Sequence, residues 1–282
     1  MIKIISDSTC DLTKDLLTKY EVTILPLHIH LGEAEYEDGI NITPDELYRW
    51  SDENKTTPKT SAPSIAEAVE LMRNLAGEED ELICFSISDS MSASGNVMRL
   101  AAEELGMEER IHVINSANLS TGVGHQIIAA ALMAREGKNG AEIVSAMKAM
   151  REKVRASFVV DTLTYLHRGG RCSSVAALAG SVLKLHPKIV VEDGKMDATK
   201  KYRGKMDSVI MTYVKDMEAE LLAAKKDRVF ITHSGCDAEI VAEVRTYLES
   251  LNHFAEILET RTGGVISSHC GPGTLGVLFV EG

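Results

Sequence analysis

Short apolar runs alternate with longer amphipathic stretches through the first half of the chain. Ile2–Ile5, Val22–Leu31, Leu82–Ile87 and Ile111–Ile114 are rich in Ile, Val and Leu, the pattern of strands buried on both faces. A short helix is predicted from Leu12, and longer ones over Ser92–Leu105 and Leu119–Arg135. Thr43-Pro44-Asp45-Glu46 joins a capping Thr to Pro at the first helical position and Glu three residues on. Ser64-Ile65-Ala66-Glu67 repeats the capping pattern before a helix to about Leu75. Strands alternating with helices of this length predict right-handed β-α-β crossovers around a mostly parallel sheet.

The second half starts near Gly140. It predicts a helix over Ala141–Val154, a strand over Ser157–Val160, helical segments through Leu185, a strand over Lys188–Val191 and a tight turn at Glu192-Asp193-Gly194. A long helix over Met206–Ala224 follows. The strands Arg228–Thr232, Phe254–Leu258 and Gly276–Val280 complete the pattern, with a helix over Ala238–Leu251 among them. The fold class is therefore α/β. A parallel-sheet α/β/α domain is expected over residues 1–154 and an α+β domain over 155–282, with a soft boundary because no linker or repeat separates them.

Composition narrows the function. The chain has 282 residues, 44% hydrophobic and 26% charged, ordinary for a globular protein with a sizeable core. Lys plus Arg number 30 and Asp plus Glu 42, a formal charge of −12. That argues against nucleic acid as a partner, since phosphates need a basic face. The five cysteines are widely spaced with no C-x-x-C pair, so neither a disulfide framework nor a cysteine zinc site is expected. The start of the chain has no charged and apolar leader pattern. No apolar stretch is long enough for membrane insertion. A cytoplasmic location is expected.

Hydroxyl side chains cluster after the predicted strands. Ser6-Asp7-Ser8-Thr9 follows the first, Ser86 to Ser94 the strand at Leu82, and Ser116, Ser120 and Thr121 the next; Thr56 to Ser64 precedes a helix. In an open parallel sheet such loops share one edge, where ligands bind. Two readings are open here. The hydroxyls cap helices, or they line a crevice suited to one carboxylate or phosphate.

Five further segments carry a resemblance. Ser6-Asp7-Ser8-Thr9-Cys10-Asp11-Leu12, Lys59-Thr60-Ser61-Ala62-Pro63-Ser64, Tyr165-Leu166-His167-Arg168-Gly169-Gly170-Arg171, Lys201-Tyr202-Arg203-Gly204-Lys205 and His269-Cys270-Gly271-Pro272-Gly273 resemble, in order, the motifs of the DegV family. These are bacterial lipid-binding proteins similar to the fatty-acid-binding subunits of fatty acid kinase. Two more segments resemble the family pattern with departures: in Ser88-Asp89-Ser90-Met91-Ser92-Ala93-Ser94-Gly95 the Ser92 hydroxyl is kept while Ala93 stands for a Gly and Ser94 for a Thr, and in Val113-Ile114-Asn115-Ser116 Asn115 stands for an Asp.

The resemblance implies a long-chain fatty acid such as palmitate in a tunnel between the two domains. Thr60 and Ser92 would hold its carboxylate, with Ser61 and Ser116 as secondary contacts. Arg171, Arg203 and His269 would lie at the carboxylate end, linked to docking of a separate ATP-dependent fatty acid kinase catalytic subunit. That subunit would make an acyl phosphate for phospholipid precursor supply. The chain itself would be a carrier with no cofactor and no catalytic residue. It has no G-x-x-x-x-G-K-[ST] loop or kinase signature set. About fourteen buried methylenes at ~0.8 kcal/mol each would supply roughly 11 kcal/mol before ordering costs. The alternatives are a small-molecule enzyme or a lipid sensor using the same crevice. A metal on His28 and His30, a dinucleotide at Gly122-Val123-Gly124 and a Ser92–His hydrolase dyad lack their remaining partners in the sequence.

Overall fold

The computed structural model describes residues 1–176 and 185–282. Its strands, in chain order, are β1 (Ile2–Asp7), β2 (Val22–Leu25), β3 (His28–Leu31), β4 (Ala34–Glu37), β5 (Lys59–Ser61), β6 (Glu81–Ser86) and β7 (Ile111–Asn115), then β8 (Val154–Val159), β9 (Leu185–Glu192), β10 (Lys195–Arg203), β11 (Arg228–His233), β12 (Glu256–Arg261) and β13 (Leu275–Val280). The first sheet has the order β2-β1-β6-β7 and is parallel throughout. Alternation along its strands sends side chains to two cores. Ile4, Ile83 and Phe85 face the helix Thr121–Arg135, while Ile5, Leu82 and Cys84 face the helices Ile65–Leu75 and Ser94–Glu104.

The second sheet has the order β10-β9-β8-β13-β11-β12, and within it only β11 and β12 run parallel. Its outer face is covered by the helices Met206–Asp216 and Ala238–Ser250 through Val209, Tyr213, Val244 and Leu248. Its inner face packs on the far side of the helix Thr121–Arg135. Phe158, Phe230 and Leu278 join Val123 and Ile127 in one cluster. His125 on that helix bonds the Leu278 carbonyl at 3.0 Å and sits edge-on to Phe230. One buried helix thus serves as the layer shared by both sheets, which explains why no linker is visible.

The third sheet is small and antiparallel, β4-β3-β5. It was not anticipated, and the reasons are local. Pro26 divides the expected strand Val22–Leu31 into β2 and β3, which join different sheets. β4 and β5 are short and polar. β10, also missed, is an edge strand whose Lys195, Lys200, Lys201 and Arg203 face solvent. Both predicted capping boxes form, at Thr43 with Glu46 and at Ser64 with Glu67. The helix expected from Leu12 starts at Lys14 instead, capped by Thr13. The one expected over Met206–Ala224 breaks at Met217 into two. Of the helical segments expected through Leu185, Thr164–Gly169 and Ser173–Ala176 form, Leu185 opens β9, and residues 177–184 lie outside the described part. A further helix, Gly264–Cys270, was not predicted. No described helix is long and apolar enough to cross a membrane.

Candidate functional site

The strand β1 ends on Asp7, whose carboxyl group is fully buried. It accepts the Thr9 amide at 3.2 Å, the Thr9 hydroxyl at 2.6 Å, the Ile87 amide at 2.9 Å and the Ser94 hydroxyl. One side chain therefore ties the loop after β1 to the loop after β6 and to the start of the helix Ser94–Glu104. Burial pushes its pKa up, against the pull of these hydrogen bonds. Asp7 thus both caps the short turn Ser8–Cys10 and orders the neighbouring loop.

Beside this knot lies a cavity of about 200 Å³. Its hydroxyls are Thr9, Thr60, Ser61 and Ser92. Its apolar lining includes Leu27, Ile87, Met91 and Leu119 from the first half of the chain, and Met196 and Ile266 from the second. A second, smaller pocket of about 20 Å³ lies behind Leu119, Ile266 and Cys270, which line both, and is closed by Phe158, Gly276 and Leu278. Apolar side chains around a few convergent polar groups are the usual makeup of a small-molecule site.

The polar end is built around His269. Its Nε2 lies 2.8 Å from the Thr60 hydroxyl. Burial, reinforced by the charge of Arg171, lowers its pKa to about 4, so the ring is neutral at pH 7. Its Nδ1 is buried with no hydrogen-bond partner. A proton on Nε2 leaves no donor orphaned there, and it frees the Thr60 hydroxyl proton for an acceptor in the cavity. Gly169 is what lets the two helices meet. A Cβ at that position would fall 2.4 Å from His269 Nδ1. Arg171 reaches the rim, giving Nη1 to the Gly169 carbonyl at 2.6 Å and Nε to the Met91 carbonyl at 3.4 Å. Ser92 stands just ahead of the helix Ser94–Glu104 and accepts the Ser94 amide at 3.2 Å, near the end of the helix dipole that favours an anion.

Of the residues singled out in the sequence, the structure brings Thr60, Ser61, Ser92, Arg171 and His269 to one cavity. Ser116 is not in its wall. That hydroxyl is occupied locally, giving its proton to the Asn118 carbonyl and accepting the Asn118 amide. Arg203 ends the edge strand β10, exposed and outside the cavity wall. Ala93 has φ −80° and ψ 1°, a backbone any residue adopts, so the Gly-to-Ala departure leaves Ser92 undisturbed. Asn115 also lies outside the wall and instead accepts the Ala117 amide at 2.9 Å. Thr9 and the apolar wall from the helix Gly264–Cys270 were missed. Thr9 was visible as the last hydroxyl of the first motif; the helix carried no capping signal.

The titrating groups here predict a pH dependence of stability. Burial raises the Asp11 carboxyl to about 8, opposed by hydrogen bonds from Ser120 and Gly263. An acid raised on folding stabilises fully below its ordinary value of 3.8 and loses that contribution as pH rises through 8. His125 and His269, lowered to about 4 by burial, act oppositely, and their contribution is complete above 6.5. Between pH 6.5 and 8 the carboxyl dominates among these groups. Thermal midpoints are expected to fall across that window, and Asp11→Asn is expected to flatten the slope; a pH series of melting curves checks both.

A family model described as "Uncharacterised protein, DegV family" matches residues 1–282. The chain belongs to the DegV family. A DegV domain-containing protein from Deinococcus radiodurans is 31% identical over 278 residues, covering 98% of this chain and 97% of that one. Among solved structures, a fatty-acid-binding DegV family protein from Thermus thermophilus superposes with a TM-score of 0.91 at 30% identity, covering 99% of both chains. A stearic-acid-binding protein from Eubacterium ventriosum superposes with a TM-score of 0.86, also at 30% identity, covering 100% of this chain and 98% of that one. DegV relatives of this chain bind fatty acids.

Proposed function

We propose that this chain holds one long-chain fatty acid, palmitate among the candidates, in the cavity between its two halves. The carboxylate is held at the Thr60–Ser92 end, and the acyl chain runs past Ile87, Leu119 and Ile266 toward the pocket closed by Phe158 and Leu278. The observation that carries this reading is the cavity itself, walled mostly by apolar side chains and offering four hydroxyls, one of them bonded to a neutral imidazole. A carboxylate out of water is very costly unless it is hydrogen-bonded, and Thr60 and Ser92 supply donors where the helix dipole also favours negative charge. Fatty acids bound by relatives of about 30% identity support the same ligand class.

The chain is further proposed to be a carrier and not itself an enzyme. It presents the carboxylate to a separate ATP-dependent fatty acid kinase catalytic subunit, and no cofactor takes part. Arg171 supports this, since its guanidinium stands at the rim and can fork to the oxygens of a forming acyl phosphate. The test is phosphorylation of bound palmitate. The loaded chain with ATP alone is expected to give no product, and adding the kinase subunit is expected to give acyl phosphate. Arg171→Ala is expected to keep the lipid and lose most of that product. Turnover by the isolated chain would overturn the carrier reading, and equal loss of lipid from Arg171→Ala would make Arg171 a lipid-holding residue instead of a docking one.

A further inference from the structure

The helix Gly264–Cys270 belongs by sequence to the second half of the chain, where it meets the helix Thr164–Gly169, and its other side packs into the first. It brings Val265, Ile266, His269 and Cys270 to the cavity wall. Val265 packs with Leu27 just ahead of β3, with Ile29 of β3 and with Leu47 of the helix Pro44–Asn54. The first amides of any helix have no partner within it, and in a buried setting they need one. Here two buried carboxyl groups from the first half supply it. Asp11 Oδ1 accepts the Gly263 amide at 2.7 Å, and Asp38 Oδ1 accepts the Gly264 amide at 2.6 Å.

The Asp11 carboxyl and the Asp38 backbone are themselves fixed from behind. Asp11 sits in the left-handed region at φ 51° and accepts the Ser120 hydroxyl on its other oxygen. Asp38 gives its own amide to the Leu27 carbonyl at 2.9 Å. The approach is close. A Cβ at Gly264 would fall 2.5 Å from Ile29 and 3.1 Å from Asp38 Oδ1, so the glycine is what lets the helix reach its acceptor. Neither carboxyl lines the cavity, so nothing in the proposed ligand contacts accounts for them.

The geometry points to Asp11 and Asp38 as positioning residues of the lipid site: they clamp, across the seam between the two halves, the helix that forms one wall of the cavity, and they thereby set how fast the lipid leaves. This rests on the lipid-holding reading above. The clamp acts through Ile266 and His269, which it holds against Leu119 and Thr60. Loosening it lets that wall part from the first half without removing any ligand contact.

The test is the rate at which bound palmitate transfers to excess albumin, read beside amide hydrogen exchange over residues 263–270. Asp38→Ala is expected to release palmitate at least tenfold faster and to speed exchange at Gly263 and Gly264. Asp38→Asn keeps an acceptor oxygen and is expected to restore release to within about twofold of the unaltered protein, and to return exchange at Gly264 to its slow rate. Asp11→Gly removes the acceptor of the Gly263 amide. The φ of 51° at that position suits glycine, so this variant carries the test if Asp38→Ala does not fold; faster release is expected again. Unchanged release from a variant whose 263–264 amides exchange faster overturns the inference, as does Asp38→Asn behaving like Asp38→Ala. If the unaltered protein takes up no palmitate, the lipid reading fails instead, and the exchange data alone then decide whether the clamp exists.

Discussion

Replacing Thr60 and Ser92 together by alanine is expected to abolish retention of a fatty acid while the protein stays folded. Hydrogen bonds to a charged group contribute roughly 1.5–3 kcal/mol each. Losing two therefore weakens binding by a factor on the order of 10² to 10⁴. The cost to the fold is smaller. Ser92 is only partly buried, and Thr60 lies on the short edge strand β5. The main structural loss is the partner of His269 Nε2. Thr60→Ser keeps that hydroxyl and is expected to behave nearly as the unaltered protein. Titration with palmitate, beside a melting curve for each variant, checks the expectation. Retention unchanged in the double variant would remove the carboxylate from this end of the cavity.

Asp7→Ala is expected to be the most damaging single change to the fold around the site. It strands the amides of Thr9 and Ile87 and the hydroxyls of Thr9 and Ser94, all in a fully buried setting. Each orphaned donor costs roughly 1–3 kcal/mol, against a total stability of about 5–15 kcal/mol for a typical protein. A drop of about 10 °C or more in the thermal midpoint is therefore expected, together with loss of lipid binding because Thr9 and Ser92 lose their placement. Asp7→Asn keeps one acceptor oxygen, but its amide nitrogen cannot accept from Ile87 or Ser94, so an intermediate loss is expected. Calorimetry on both variants decides. A midpoint within about 2–3 °C of the unaltered protein for Asp7→Ala would mean that the two loops and the helix start are held by something else.

The parts of this molecule legible in the sequence are those specified locally. The strands β1, β6 and β7 are continuous apolar runs, and the helices after Thr43 and Ser64 announce themselves by caps. Thr60, Ser92 and His269 were reached through short motifs that the structure brings to one cavity. The parts not legible are set by distant partners. β4, β5 and β10 are polar edge strands whose pairing depends on a neighbour and not on their own pattern. Gly264–Cys270 has no cap of its own in the sequence because its capping groups, Asp11 and Asp38, lie more than two hundred residues upstream. Ser116 failed to reach the cavity for the opposite reason. A local turn with Asn118 takes its hydroxyl before any ligand can.

The measurement that bears most directly on the central claim is mass spectrometry of the small molecules released when the purified protein is denatured. The account predicts a long-chain fatty acid at close to one per chain, because a buried acyl tail with a paired carboxylate dissociates slowly. A protein that releases none, and that also takes up no added palmitate or oleate, would contradict it.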